Sequence, residues 1–327
     1  MSAEIFRTLD EARGRFGPCA AAIGVFDGVH IGHQHLISET VRSARERNVA
    51  PAVITFDPHP TAIVAPARVP ALLCTLEERL QLLAKAGAER IFVLPFTSEI
   101  ARLTPEEFVQ QILVDALAVQ AVLVGTNFNF GYRQSGNTDT LRALGERYGF
   151  ATKFLDPVVL RGRVVSSTAI RNDLRQGRIA QAGRMLGRCF SIRGPVVRGR
   201  GIGSRQTVPT LNLRPDPLLL TPEGIYVTET LEPGTNRRWP SVTSCGYNVT
   251  FGATDLTVET YLLSALEDPA PRGIEVRFRH YLRAEQAFPD PASLKAQILR
   301  DVARAEAYWR HFDRLARALR NGAPSLY

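Results

Sequence analysis

The chain has 327 residues, 45% of them hydrophobic, and carries a formal net charge of +8. A length of this order favours two domains, and no run approaches the roughly 18 apolar residues of a membrane span. The first fifteen residues are too polar for a signal peptide, so the expectation is a cytoplasmic protein with no membrane partner.

In chain order, residues 20–26 read as a buried strand that breaks at Asp27-Gly28 and leads into a helix over 33–47. His30 and His33 stand three apart where that helix opens. The first N–H groups of a helix lack internal partners and the macrodipole is positive there, so this strand, turn and helix start suits an anion, phosphate first of all. Histidines at the mouth would add charge stabilisation to a transferring phosphoryl group. The same pair also suits simple helix capping, or half of a metal site. Strands over 51–56, 90–95, 121–125 and 151–155 then alternate with helices over 76–86, 105–117 and 138–148. Thr75 with Glu78, and Thr104-Pro105 with Glu107, sign two of the helix starts. The pattern is that of a doubly wound parallel sheet, in which ligands bind beyond the carboxyl ends of the strands.

Two loops at those ends are unusual. Asp57-Pro58-His59-Pro60 follows the second strand, and Gly125-Thr126-Asn127-Phe128-Asn129-Phe130-Gly131 follows the fourth. The latter sets aromatics and amides between glycines, apt for a flat heterocycle, or for an ordinary polar turn with two anchoring Phe. Ser166-Ser167-Thr168 with Arg171 opens a further helix, as caps or as a polyphosphate cradle gripped by the guanidinium.

Residues 178–187 read as a linker, dividing a domain over 1–186 from one over 187–327. Strand-like runs over 190–197, 207–213, 224–230, 241–246, 256–263 and 274–281 have no helices between them, which predicts a small antiparallel barrel. Pro291 begins a long terminal helix whose apolar positions, from Leu294 through Ile298, Val302, Ala305, Trp309 and Phe312 to Leu319, form a stripe expected to pack on the barrel. A glycine loop with Gly201, Gly203 and Arg205 precedes Pro209-Thr210-Leu211-Asn212. Thr210 and Asn212 lie two apart and share one face of a strand, two neutral oxygen ligands suited to Mg2+ beside a phosphate, or simply the polar face of an exposed hairpin. The four cysteines form no CxxC pair, and the scattered arginines with no RNA or DNA module argue against a nucleic-acid partner. Phosphorylated small molecules account for the charge.

Gly24 to His33, the Asp-Pro-His-Pro loop, the Gly-x-Asn-Phe-x-Phe-Gly loop and the Ser-Ser-Thr-x-Ile-Arg segment together resemble the adenylyltransferase module of the prokaryotic bifunctional riboflavin kinase/FMN adenylyltransferases. The second half resembles the kinase module through Pro209-Thr210-x-Asn212, Val258-Glu259-Thr260 and the stretch after Leu282. It departs from that pattern at Gln206-Thr207-Val208, where the family has Leu-Gly-Phe, and at Leu211. The resemblance implies ATP, riboflavin, FMN and FAD as substrates or products, with Mg2+. It assigns ATP and its phosphates to His30 and His33, to Gly24, Phe26, Asp27 and Gly28, and to Ser166, Ser167, Thr168 and Arg171. Asp57, His59, Pro60, Asn127 and Phe128 fall to the flavin. In the kinase, Gly201, Gly203, Arg205, Thr210 and Asn212 fall to ATP, with Mg2+ on Thr210 and Asn212 and Glu259 as base. Other readings are a monofunctional FAD synthetase with an inactive barrel and, further off, a flavin- or RNA-binding regulatory protein. A monomer or weak homo-oligomer is expected.

Overall fold

The computed structural model describes residues 3–197, 210–216, 218–220, 222–247, 256–266 and 269–320, and the chain divides into two compact units, Met1–Ala169 and Ile170–Tyr327. The first unit is built on a six-stranded sheet. Its strands are β1 (Glu4–Phe6), β2 (Cys19–Ile23), β3 (Ala50–Asp57), β4 (Arg90–Pro95), β5 (Val119–Gly125) and β6 (Ala151–Leu155). They lie in the order β1-β4-β3-β2-β5-β6, all parallel. The strand order reverses at β2, whose neighbours are β3 on one side and β5 on the other. The crevice beyond the carboxyl ends of β2 and β5 is therefore the natural ligand position.

Why β2 is central follows from its composition. Cys-Ala-Ala-Ala-Ile is buried on both faces, and such small side chains let helices approach closely. Ala21 and Ile23 join the apolar cluster on one face, with Phe92 and Ile112; Ala20 and Ala22 join the other, with Ile37 and Leu83. The connecting helices are α1 (Ile31–Arg47), α2 (Leu76–Lys85), α3 (Pro105–Phe108, continued by π-helical turns over Val109–Val114) and α4 (Thr138–Tyr148); α5 (Ser167–Arg175) follows. Both capping boxes expected at Thr75 and Thr104 are present. The edge strand β1 has no counterpart in the sequence reading, because three residues are too few to show a period.

In the second unit, α6 (Ile179–Leu186) precedes a closed antiparallel barrel. Its strands are β7 (Ser191–Val197), β8 (Thr210–Leu213), β9 (Gly224–Leu231), β10 (Arg238–Tyr247), β11 (Leu256–Leu262) and β12 (Gly273–Arg283), in the order β8-β11-β10-β9-β12-β7. The helix α7 (Pro291–Arg320) sets Ala305 and Trp309 against Ile225, Val227 and Val242 on the outer face. Arg283 ties the two together through Asp301, at 2.8 and 2.9 Å. Among its described positions the expected stripe is buried only at Ala305 and Trp309. Leu294, Ile298 and Phe312 are 41%, 39% and 36% exposed, since a helix of this length, about 45 Å, outruns strands of such size.

The inner face of the barrel is unexpectedly polar. Thr228, Thr230, Ser241, Thr243 and Thr260 are wholly buried, and their hydroxyls bond one another: Thr228 to Ser241 at 2.8 Å and to Thr243 at 2.7 Å, Thr230 to Ser241 at 2.8 Å, and Thr243 to Thr260. Thr243→Val keeps the shape but strands the hydroxyls of its neighbours, at a cost of about 1–3 kcal/mol. Both tryptophans, Trp239 and Trp309, belong to this unit. The loss is therefore expected in the urea transition followed by tryptophan fluorescence.

Candidate active sites

In the first unit the strand β2 ends at Ile23 and the chain makes a left-handed passage before α1. Phe26 has φ +55°, Gly28 +78° and Val29 +39°. For a phenylalanine and above all a β-branched valine these are unfavourable values, of order 1–3 kcal/mol each, and they persist only where the surroundings impose them. The imposing groups are visible. Asp27 Oδ1 accepts from the Leu73 N–H at 2.9 Å, Cys74 Sγ accepts from the Gly28 N–H at 3.3 Å, and the Ser167 hydroxyl donates to the Asp27 carbonyl at 2.9 Å. Phe26 and Val29 are in turn fully buried.

This turn delivers His30 to the N-cap of α1, where its Nδ1 accepts from the His33 N–H at 3.2 Å. The capping reading of the pair is thus correct for one nitrogen. The two rings stack with centroids 3.5 Å apart, and the Phe26 ring meets His33 edge-on at 5.1 Å. His33 Nδ1 is buried with no partner among the described residues. Burial, His30 and the Arg79 guanidinium, in that order, hold the His33 pKa well below the ordinary histidine value, so its ring is neutral near pH 7.

The other expected residues have differing local jobs. Ser166 Oγ accepts from the Ala169 N–H at 3.2 Å, a cap, while Ser167 is engaged with Asp27 and Thr168 is exposed. Arg171 is buried one turn along α5. Gly24 lies against the Phe26 ring, its added Cβ meeting the ring at 3.3 Å. Asp57, exposed, ends β3; His59 Nδ1 accepts from Thr61 N–H at 3.2 Å and caps the short helix Pro60–Val64. After β5, Phe130 is buried and anchors the loop, and Phe128 stacks on it at 5.4 Å while remaining half-buried. Asn127 is exposed, and its carbonyl accepts from the Asn129 amide.

In the second unit Gly201, Gly203, Arg205 and Pro209 lie outside the described residues. Thr210 and Asn212, both half-buried, pair with Tyr261 and Glu259 across the β8–β11 ladder, and Glu259 pairs on its other side with Ser244 of β10. Directly paired residues share a face, so Asn212, Glu259 and Ser244 form one outward row. The Ser244 hydroxyl donates to Glu285 Oε1 at 2.7 Å, and the same carboxylate lies where a Cβ on Gly246 would collide with it. Glu259 is open to solvent, yet the surrounding protein and then the Glu285 carboxylate raise its pKa above the usual carboxylate value. A cavity of about 350 Å3 opens at the end of β11, lined by Tyr261, Leu263, Val302 and Glu306 among others, and Glu259 is not part of its wall. Among the described residues no three His, Cys, Asp or Glu side chains converge as a metal site.

Leu73, Cys74, Arg79 and Ser244 lie outside the site expected from the sequence, and Glu285 enters there only as part of the kinase-like stretch after Leu282. Only Arg79 left a legible sign: it falls on the face of Leu76, Leu80 and Leu83, where an apolar residue belongs.

The FAD synthetase family matches residues 14–169 and the riboflavin kinase family residues 186–309. A bifunctional riboflavin kinase/FMN adenylyltransferase from Pseudomonas fluorescens is 34% identical over 93% of this chain and 97% of its own. One from Escherichia coli K12 is 34% identical over 89% and 93%. A solved structure titled macrolide-efflux protein, from Streptococcus pneumoniae, superposes with a TM-score of 0.82 at 24% identity, covering 92% of this chain and 98% of its own, a likeness of fold alone. No helix among the described residues is long and apolar enough to cross a membrane.

Asp27→Ala leaves the buried Leu73 N–H without its acceptor and is expected to destabilise the first unit by about 1–3 kcal/mol, whereas Asp27→Asn, which keeps an oxygen there, is expected to cost less. Thermal unfolding followed by far-ultraviolet circular dichroism measures the difference.

Proposed function

We infer the chemistry of each half from one premise: the chain belongs to the bifunctional riboflavin kinase/FMN adenylyltransferase family. The protein phosphorylates riboflavin to FMN, releasing ADP, and adenylylates FMN to FAD, releasing pyrophosphate. In the first unit an FMN phosphate oxygen attacks the α-phosphorus of ATP and the bond to the β-phosphate oxygen breaks. No protein nucleophile is needed. His30 and His33, at the mouth of α1, hold the phosphates with the backbone of Asp27 and Gly28, and stabilise the charge that moves onto the leaving pyrophosphate. Arg171 and the Ser166 to Thr168 segment complete the polyphosphate side. Asn127, Phe128, Asp57, His59 and Pro60 face the flavin.

In the second unit Glu259 takes the proton of the ribityl hydroxyl while that oxygen attacks the γ-phosphorus and ADP leaves. The observation that carries two activities rather than one is the ladder register, which sets Glu259 directly opposite Asn212. Base and phosphate-side ligand thus share a face. Thr210 and Asn212, neutral and half-buried, suit Mg2+, which keeps waters and bonds phosphates rather than requiring a carboxylate cage; when bound it would neutralise phosphate charge there. Gly201, Gly203 and Arg205 belong to the ATP side in this reading. The cavity beside Tyr261 has the size and apolar walls for a flat ring system. Four cysteines without a disulfide accord with a reducing, cytoplasmic compartment, and the substrates account for the partners of a monomer or weak homo-oligomer.

Purified protein given riboflavin and Mg-ATP is expected to yield FMN and then FAD, separated by chromatography. FAD from FMN with no product from riboflavin would instead establish an inactive barrel. His30→Ala is expected to slow FAD formation by about two orders of magnitude. Glu259→Gln is expected to abolish riboflavin phosphorylation and leave FMN adenylylation intact. The base works deprotonated, so kinase activity falls as pH drops through the raised Glu259 pKa. Removing the repelling charge with Glu285→Gln lowers that pKa and moves the acid limb of the pH–rate profile to lower pH.

A further inference from the structure

Arg79, on α2, is 1% exposed, and its Nη1 donates to the Val25 carbonyl at 3.2 Å, to Thr55 Oγ1 at 3.2 Å and to the Phe56 carbonyl at 2.9 Å. These acceptors are neutral. No carboxylate among the described residues pairs with Arg79, and its Nε is buried without a partner. A guanidinium keeps its charge when buried, and an interior charge with no counter-ion is unfavourable enough that such groups are normally paired. Here the lone charge lies under the carboxyl ends of β2 and β3, against the first residues of the loop that carries the histidines. It bears electrostatically on His33. Thr55 Oγ1, which also donates to the Val25 carbonyl at 3.0 Å, belongs to the same tie.

We propose that Arg79 is the built-in counter-charge of the adenylyl-transfer site, a positioning residue whose missing counter-ion is the polyphosphate of the bound nucleotide. The proposal rests on the reading of the first unit as the adenylyltransferase. In the free protein Arg79 ties the ends of β2 and β3 and, with burial and His30, helps keep His33 neutral. When triphosphate enters, its negative charge compensates the guanidinium and the penalty of holding that charge is relieved. The permanent cation thereby favours the polyanion without exposing a side chain that water or a foreign anion could neutralise. Among the described residues the charged groups that act on His33 are His30 and Arg79; in the turn itself the Asp27 carboxylate takes the Leu73 N–H and the Cys74 thiol the Gly28 N–H.

Arg79→Gln keeps donors and removes the charge; Arg79→Lys keeps the charge and removes the fork. FAD formation from FMN, riboflavin phosphorylation and the protonation midpoint of His33, by NMR of labelled histidines, are measured on both full-length variants. With Arg79→Gln, kcat/KM for FAD formation is expected to fall about 100-fold with a raised KM for ATP, as for removal of a preorganised charge-stabilising group. Kinase activity is expected to stay unchanged and the His33 midpoint to move up. With Arg79→Lys, activity is expected within about tenfold of the parent, with the midpoint still depressed. FAD formation by Arg79→Gln within about threefold of the parent overturns the proposal, as do equal losses in both variants with an unmoved His33 midpoint, which would leave only a structural tie. If Arg79→Gln fails to fold by circular dichroism, Arg79→Lys decides: a folded, inactive protein overturns it and an active one with a depressed midpoint supports it. A parent protein that makes no FAD from FMN refutes the functional reading instead, and the His33 midpoints still report on the charge.

Discussion

The left-handed passage at residues 26–29 governs the first unit, and it stands because two separate segments, Leu73-Cys74 and the start of α5, hold it. The Leu73 N–H, the Cys74 thiol and the Ser167 hydroxyl each grip a different atom of Asp27 or Gly28. Without them, Phe26 and Val29 would relax to negative φ and the exit direction of the chain from β2 would change. The start of α1 and the stacking of His30 on His33 then follow as one geometry. Backbone strain at one turn is offset by bonds that bring distant parts of the chain together, which is how the site inherits its rigidity.

The barrel solves a different problem. Its strands are covered on one outer side by α7 and lined inside by a connected set of hydroxyls, so alternation along β10 and β11 runs polar on both faces over part of its length. An interior of this kind leaves little freedom in register, because a one-residue slip would bury Ser244 and Glu259 and expose Thr243 and Thr260. The same alternation that satisfies the inside therefore fixes which carboxylate meets Asn212 on the outside.

Much of this architecture can be read from the chain, and the reasons for the gaps are physical. Alternating strand and helix signals, with capping boxes at Thr75 and Thr104, identify the doubly wound unit, since each element carries its own period and its own punctuation. His30 and Asn212 are visible because polar residues at fixed spacing interrupt apolar runs, whereas Glu259 stands out only through the resemblance of Val258-Glu259-Thr260 to the kinase module. Leu73 and Cys74 are invisible because one acts through its main chain and the other looks like ordinary core. Ser244 and Glu285 meet only through folding, forty-one residues apart. Which described positions of the α7 stripe are buried likewise depends on how far the barrel extends, which no helical period encodes. Arg79 is the intermediate case: its misfit on an apolar face is a local sign, but what it faces is set by β2 and β3.

His30 closes the first turn of α1 with the same imidazole that opens the site, its Nδ1 taking the His33 N–H. Helix stability and site chemistry are in this way written into one ring and cannot drift independently. A replacement such as asparagine would preserve the end of the helix and discard the aromatic stack; a bulkier ring would keep stacking and lose the cap. Selection at this position therefore acts on two properties at once, leaving the lineage a narrower set of acceptable side chains there than either task alone would impose.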